Sequence, residues 1–284
     1  MARILGVGIA TLDLLFEVDH FPREDEEMRA QNFRVARGGN ATNTLVMLAQ
    51  RGHQCDWAGV LADAAQSALI RDDLARYAID TTHSVLRPGK PPTSSILLTP
   101  SGSRSIVHYR DLPEFAFSDF VNIDLAPYAW LHFEARNILD LEQMLRHARA
   151  QRPDLKISLE AEKPRPGLDR LLGLADVVLA SQALAEQRGF DQAQVFLQAL
   201  RKLAPSTLLF AAWGAQGAYA LDLQDTLHHS PAFPPQRIVD SVGAGDAFNA
   251  GVIDALLCGL SAPEALEHAC RLAGQKCGVH GFQL

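Results

Sequence analysis

Short apolar runs alternate with segments of helical periodicity along most of the chain. The run ILGVGIA at 4–10 is apolar throughout, which is typical of a strand buried on both faces of a sheet. Residues 42–52 repeat apolar side chains at helical spacing, and Gly52 marks the end of that predicted helix. The same patterns predict strands at 55–61, 130–135, 156–161, 177–181 and 207–213 and helices at 67–79, 140–151 and 193–204. This order predicts an α/β fold with helices on both faces of a mostly parallel sheet.

Two stretches, at about 14–36 and 84–112, break this alternation because neither places a helix between its strands. We interpret both as antiparallel strands off one edge of the main sheet. They are either ordinary edge decoration or a small β lid over a ligand cleft. The lid is favoured, since ligands of such folds bind outside the carboxyl ends of the strands. No linker or repeat divides the sequence, so we expect a single domain, 1–284, with a lid.

Composition and charge argue against several functional classes. The formal net charge is −7 and no Lys/Arg-rich run is present, so we expect no nucleic acid partner. No apolar run reaches the length of a membrane span, and the acidic residues at 13–19 favour a buried first strand over a signal peptide. The cysteines have apolar neighbours and no CxxC spacing, which predicts reduced thiols in a cytoplasmic protein and no metal-binding residues.

The stretch DSVGAGD at 240–246 is the first candidate for chemistry. Gly243, Ala244 and Gly245 precede an apolar helix, so backbone N–H groups and the helix dipole are expected to form an anion hole suited to a phosphoryl group. Asp246, in the first turn, is placed to accept a proton from an attacking hydroxyl, and the positive helix end is expected to keep it ionised. The residues alone leave open the alternative of a tight turn with Asp246 as a helix cap.

Motifs of other nucleotide-binding proteins are absent or incomplete. The chain has no GxxxxGK[ST] loop, no protein-kinase HRD or DFG element and no GxSxG elbow. Gly6 and Gly8 begin a GxGxxG-like run, but Thr11 stands where its last glycine belongs, which weakens a dehydrogenase interpretation.

A second constellation, RGGNATN at 37–43, opens the first long helix. Asn40 and Asn43 are three residues apart, on one face of the helix start, and Asp13 follows the first strand after one short segment. Amide and carboxylate groups suit the hydroxyls of a polyol, because together they donate and accept hydrogen bonds. The alternative is that Asn40 caps the helix and Asn43 is solvated.

Together these stretches resemble the two signatures of the PfkB, or ribokinase-like, family of carbohydrate kinases. RGGNATN matches the N-terminal signature, and DSVGAGDAFNAG matches the C-terminal one. Further matches, from FPREDEEMR through EAEKPR to AFPPQRIVD, extend the resemblance nearly end to end, toward family members that phosphorylate ketohexoses. The resemblance implies a ribokinase-like three-layer sandwich with a small β-sheet lid. It also implies ATP and Mg²⁺ as cofactors, with K⁺ as a further candidate at a site of backbone groups near Asp240.

The resemblance also implies a role for each matching residue. Asp246 would be the base, beside an anion hole of Gly243, Ala244 and Gly245. The residues implied to hold the sugar are Asp13, Gly39, Asn40 and Asn43. The residues implied at the nucleotide end are Arg110, which would reach the phosphates from the lid, Trp213, Gly217, Phe248, Cys270 and Cys277. The alternatives are a solvated lid arginine for Arg110 and core packing for both cysteines.

Three further positions bear on this transfer of roles. Glu134 and Lys163 are expected near the cleft, where a structural role is equally open. Ala215 stands where the ketohexose-specific members carry an acidic residue, which makes the nucleotide pocket the weakest part of the resemblance.

The function implied is transfer of phosphate from ATP to the C1 hydroxyl of D-fructose or a related ketose. The alternatives are another PfkB kinase, acting on a different sugar, a sugar acid or a nucleoside, and a catalytically silent sugar- or nucleotide-binding regulator. Exposed lid strands have unpaired edges and apolar faces, so we also expect a homodimer clasped through the β lid.

Overall fold

The computed structural model describes residues 1–283, and their strands and helices follow the predicted alternation. The strands are β1 (Arg3–Val7), β2 (Thr11–Glu17), β3 (Asn32–Gly38), β4 (Gln54–Ala58), β5 (Val60–Ala62), β6 (Val85–Arg87), β7 (Thr93–Leu98), β8 (Arg104–Tyr109), β9 (Trp130–Glu134), β10 (Lys156–Ala161), β11 (Val177–Ser181), β12 (Leu208–Ala212), β13 (Ala218–Leu221) and β14 (Leu227–Ser230). The helices are α1 (Asn40–Gln50), α2 (Ser67–Arg76), α3 (Phe117–Phe120), α4 (Ile138–Gln151), α5 (Asp169–Leu172), α6 (Gln182–Gln187), α7 (Ala193–Leu203), α8 (Ala244–Leu257) and α9 (Ala262–Cys277).

The main sheet has the strand order β14-β13-β12-β11-β10-β9-β1-β4. The strands from β12 to β4 in that order run parallel, whereas β13 and β14 are antiparallel additions at one edge. The mostly parallel sheet predicted from the apolar runs is therefore confirmed. Because the strands are parallel, their carboxyl ends meet along one edge, which is where Glu134 and Glu160 lie.

Helices cover both faces of this sheet, and the side chains of each strand alternate between two cores. Leu5 of β1 packs in the core beneath α4 and α7, whereas its neighbour Ile4 packs in the core beneath α1, α8 and α9. This alternation produces the three layers of an α/β sandwich. In the part of the chain that the structure describes, no helix is long and apolar enough to cross a membrane.

The segments between the main strands form two smaller sheets rather than an extension of the main one. One has the order β3-β2-β7-β8, and the other joins β5 to β6. The prediction of antiparallel strands off an edge of the main sheet was wrong in two respects: the sheet is separate, and β2 pairs with β7 in parallel. The run at 55–61 is likewise two strands, since the chain leaves the main sheet after β4 and β5 pairs with β6.

Candidate active site

Asp246 lies in the first turn of α8, which starts at a left-handed Gly243 with a φ of 83°. The backbone N–H of Ala247 donates to the Gly243 carbonyl at 3.0 Å and that of Ala244 to the Ser241 carbonyl at 3.3 Å. The N–H groups of Gly245 and Asp246, between them, lie at the open end of the helix. Gly245 is exposed, and a Cβ built on it would meet no protein atom within 4 Å. The start of α8 therefore presents donors and a positive dipole end to open space beside a carboxyl group.

The Asp246 side chain is buried, with the residue 6% exposed, and is held by Asn43 of α1. Asn43 Nδ2 donates to Asp246 Oδ2 at 2.7 Å. Arg37 Nη1 donates to Asn43 Oδ1 at 2.6 Å, and because a guanidinium can only donate, this contact fixes which end of the amide faces Asp246. Arg37 opens the RGGNATN stretch but was not among the residues predicted to have a role at the site.

Asn40 is the first residue of α1 and points to the carboxyl end of β10. Its Nδ2 donates to Glu160 Oε1 at 2.9 Å and to Glu162 Oε2 at 3.3 Å. The helix cap is Gly39, with a φ of 107°, where an added Cβ would lie 2.2 Å from the Ile9 carbonyl oxygen. The alternative of a capping Asn40 and a solvated Asn43 is therefore wrong, since Asn43 is buried against Asp246.

The carboxyl groups of Asp246, Glu134 and Glu160 are all buried, and the charges of the first two act on the pKa of the third. Burial raises the pKa of Asp246 well above its usual value, the hydrogen bond from Asn43 opposes this, and the charges of Glu162 and Glu134 add to it. Burial thus opposes the predicted effect of the positive helix end, which was to keep Asp246 ionised. Burial and the charge of Asp246 also raise the pKa of Glu160 well above its usual value. Glu160 was not predicted as a candidate site residue, although it opens the stretch EAEKPR.

Asp13 lies on the separate four-stranded sheet, and a Cβ built on Gly38, just before α1, would fall 2.0 Å from its Oδ2. The register places Asp13 opposite Ser94, and Ser94 opposite His108, so the three side chains lie in a row on one face. Thr11 Oγ1 donates to Asp13 Oδ1 at 2.8 Å. Burial raises the pKa of Asp13, and the hydroxyls of Thr11 and Ser94 oppose that shift.

Arg110 follows β8 and is ion-paired with Glu114, so it is not the solvated arginine of the alternative interpretation. Glu114 also accepts from Arg136 Nε at 3.1 Å, and Arg136 Nη1 donates to Glu134 Oε1 at 3.3 Å. The chain of contacts ends at Glu134 Oε2, which accepts from the backbone N–H of Ile9 at 2.8 Å. These alternating charges line a cleft beside the carboxyl ends of β1 and β9.

Lys163 lies at the surface, with its side chain 61% exposed and its Nζ 3.8 Å from Glu162 Oε2. Glu134, in contrast, is buried among the site residues described above. Of the two positions expected near the cleft, Glu134 is therefore the one that the structure places within the carboxyl cluster.

The residues assigned to the nucleotide end lie around β12, β13, α8 and α9. Trp213 and Gly217 bracket a short 3₁₀ turn between β12 and β13, and the exposed Ala215 lies within that turn. Phe248 and Cys270 are buried in the core formed with α8 and α9, and burial raises the pKa of the Cys270 thiol. At the end of α9, the Cys277 carbonyl accepts from Val239 and Asp240 N–H groups at 2.8 and 3.2 Å. In this structure, core packing accounts for Phe248 and Cys270.

Comparison with known proteins identifies the family of this chain. Residues 1–284 match the pfkB family of carbohydrate kinases. The chain belongs to the PfkB family of carbohydrate kinases. It is an ATP-dependent sugar kinase of that family, as the two signatures predicted.

Relatives at the level of sequence and of structure agree with this placement. The chain is 37% identical to mouse (Mus musculus) ketohexokinase, over 99% of this chain and 97% of that protein. A putative ribokinase from Agrobacterium tumefaciens has a TM-score of 0.87 at 23% identity, covering 99% of this chain and 92% of that one. Arabidopsis thaliana ribokinase, solved with ribose and ATP, has a TM-score of 0.78 at 18% identity, with 99% and 94% covered. The ribokinase-like PfkB fold is thus confirmed.

Proposed function

We propose that this PfkB kinase transfers the γ-phosphoryl group of ATP to the C1 hydroxyl of D-fructose or a related ketose, giving fructose 1-phosphate and ADP. The observation that carries the proposal is the buried Asp246 carboxyl, held by Asn43 beside the open N-terminus of α8. Likeness to a ketohexokinase over nearly the whole chain supports the choice of a ketose.

In the proposed reaction the sugar lies between the four-stranded sheet and the start of α1. Asp13 and Asn40 would accept and donate hydrogen bonds to its hydroxyls, with Gly39 allowing close approach of the backbone. The C1 oxygen would attack the γ-phosphorus as the bond to the ADP oxygen breaks, and its proton would pass to Asp246. The N–H groups at the start of α8 would stabilise the charge on the phosphoryl oxygens.

Mg²⁺ would offset the charge of the ATP phosphates. Among residues 1–283 no group of three or more His, Cys, Asp or Glu side chains is arranged to hold a metal. Mg²⁺ needs no such group, because it is usually held by substrate phosphates, water and one or two carboxylates. Glu160 fits this requirement, since its buried Oε2 has no hydrogen-bond partner among the described residues.

We do not propose that a potassium ion binds through Asp240. The Asp240 carbonyl accepts from Lys276 Nζ at 2.7 Å, and its carboxylate accepts from Arg34, Val242 and Gly281. These oxygens therefore do not fit a bound cation.

At the nucleotide end, ATP would lie along α8, near Trp213, Gly217 and the end of α9. Arg110 would reach the phosphates by exchanging its Glu114 partner for phosphate oxygens, which a guanidinium binds in the same geometry. Ala215 would bring no charge to this pocket, where the resemblance implies an acidic residue.

A coupled assay of ADP release over a panel of sugars, sugar acids and nucleosides tests the substrate. We expect saturable turnover with D-fructose and phosphate on C1, identified by NMR of the product. A better acceptor elsewhere in the panel would establish one of the alternative kinase activities. Calorimetric binding of fructose without ADP release would establish a silent binding protein. A change in NADH absorbance without ATP and without coupling enzymes would establish a dehydrogenase.

The pH dependence of kcat tests the Asn43–Asp246 hydrogen bond. Asp246 must lose its proton to act as a base, so kcat should rise with pH, through a pKa above the usual range for Asp. Asn43 lowers the Asp246 pKa, so Asn43→Ala should move this rise to higher pH. Thr44→Val is the matched control, because Thr44 Oγ1 meets the Asp246 backbone carbonyl rather than its carboxyl group. An unchanged profile for Asn43→Ala would contradict the assignment of Asp246 as the base.

We further propose a homodimer through the outer face of the four-stranded sheet. Phe33, Val35, Val107 and Tyr109 on this face are large apolar residues that are 45% to 72% exposed. Light scattering should give about twice the chain mass of 31.0 kDa. Val107→Glu should give a monomer, and Val195→Glu on the exposed side of α7 should leave the dimer intact. A monomeric wild-type protein at micromolar concentration would contradict the proposal.

A further inference from the structure

Lys276, in the last turn of α9, is fully buried, with 0% of the residue exposed. Its Nζ donates to the Asp240 carbonyl at 2.7 Å and lies 3.5 Å from Asp240 Oδ2. Burial lowers the pKa of this lysine, and the Asp240 carboxylate opposes the shift. A buried ammonium is costly unless it is paired, so the local structure depends on this contact.

Asp240 itself is buried and joins three separate parts of the chain. Its Oδ1 accepts from the Val242 N–H at 3.0 Å, within its own turn. Its Oδ2 accepts from the Gly281 N–H at 3.1 Å and from Arg34 Nη2 at 2.8 Å. Burial alone would raise the pKa of Asp240, but Lys276, the two N–H groups and Arg34 together lower it. An ionised Asp240 thus links the turn before α8 to α9 and, through Arg34 of β3, to the four-stranded sheet.

The turn held in this way leads directly to the phosphoryl-transfer site. Residues 231–243 contain no helix or strand, so their position depends on individual contacts. These are the side-chain contacts of Asp240 and the backbone hydrogen bonds from Val239 and Asp240 to the Cys277 carbonyl. Three residues after Asp240 lies Gly243, the cap of α8, and a Cβ built on it would fall 2.2 Å from the Phe282 ring. That ring also lies 5.4 Å from Lys276 Nζ, as a cation–π contact. Lys276 therefore contacts both the start of the turn and the ring that packs against its end.

We propose that Lys276 is a positioning residue for phosphoryl transfer and that Arg34 assists it. The buried ammonium supplies a fixed positive charge that holds Asp240, and Asp240 in turn sets the direction of the N–H groups at the start of α8. The inference rests on the proposed function, since it concerns the anion hole of that reaction. Because Arg34 belongs to the four-stranded sheet, the same contact ties the sheet that carries Asp13 to the turn that receives the phosphate.

Two substitutions of Lys276 separate the role of its charge from the role of its volume. Lys276→Met fills the space without the charge, and it should lower kcat by about tenfold or more, since small displacements of catalytic donors are costly. The KM for the sugar should change by less than about threefold, because Asp13 and Asn40 are untouched. In Lys276→Ala, n-propylammonium supplies three carbons and an ammonium group in place of those that are removed. It should restore kcat saturably, whereas the uncharged n-propanol should not.

Controls distinguish failure of this inference from failure of the proposed function. Folding of each variant is checked by circular dichroism. If neither Lys276 variant folds, Arg34→Gln takes its place and should lower kcat by about threefold, whereas Arg104→Gln, an exposed arginine on the same sheet, should not. A folded Lys276→Met protein with wild-type kcat would overturn the inference, and so would rescue of Lys276→Ala by n-propanol as well as by n-propylammonium. If neither Lys276 variant folds, an Arg34→Gln protein with wild-type kcat would overturn it. A wild-type protein that phosphorylates no acceptor would overturn the proposed function and this inference with it.

Discussion

Replacing Asp246 by Asn should lower kcat by about 10³-fold, the scale on which a positioned general base contributes. The substitution keeps the shape of the side chain, and the new carbonyl oxygen can still accept the hydrogen bond from Asn43. What is lost is the ability to take the proton from the attacking hydroxyl. The KM values for sugar and ATP should change little, because the anion hole and the sugar contacts remain. Steady-state kinetics at saturating ATP, with the fold checked by thermal melting, measures this effect.

Asp254→Asn is the matched control, since Asp254 is a buried aspartate two turns further along the same helix. Its carboxylate binds His53, Arg51 and His268 at 2.9 to 3.1 Å and has a lowered pKa, despite burial, because of these partners. Breaking this network should lower the melting temperature and leave kcat nearly unchanged. Near-normal turnover by a folded Asp246→Asn protein would rule out the proposed base.

The periodicity of the chain predicted the parallel strands of the main sheet because each lies in a short apolar run. The run at 156–161 shows why, since KISLEA is buried from Ile157 onward in β10. Periodicity did not predict the two edge strands β13 and β14, and β14, with the sequence LHHS, is not such a run. The pairing of the four-stranded sheet was beyond such reasoning. Periodicity shows which residues share a face but not which strand is the neighbour, so the parallel pairing of β2 with β7 was not foreseen.

The site was predicted where its residues lie in compact motifs, and it was missed where the chain brings distant residues together. RGGNATN and DSVGAGD identified Asn43 and Asp246, whose contact spans 203 positions. In EAEKPR, Glu160 and Glu162 cannot be distinguished by composition, yet the structure buries Glu160 and leaves Glu162 exposed. The buried Lys276 looks like one polar residue among several at a helix end, and its partner Asp240 is 36 positions away.

Gly245→Ala should lower the activity of the protein without lowering its stability. Gly245 is in the first turn of α8, and its φ is not positive, so alanine fits the backbone there. The new methyl group would meet no neighbouring side chain or loop within 4 Å. Alanine is favoured over glycine in a helix by about 1 kcal/mol or less, so the melting temperature should stay the same or rise. The methyl group would, however, occupy the open space that the proposed phosphoryl group needs. The expected result is a stable protein whose kcat is lower by about 10²-fold.

A glycine at the other end of the same helix serves as the control for Gly245→Ala. Gly259, with a φ of 78°, also has open space around an added Cβ. Gly259→Ala should therefore lower the melting temperature through backbone strain, and it should leave kcat unchanged because no substrate is expected there. If Gly245→Ala melts no lower than wild type and also turns over at the wild-type rate, the open end of α8 does not receive the phosphoryl group. Thermal melting and kcat together thus separate a steric block of an anion site from a general effect of helix stability, which neither measurement does alone.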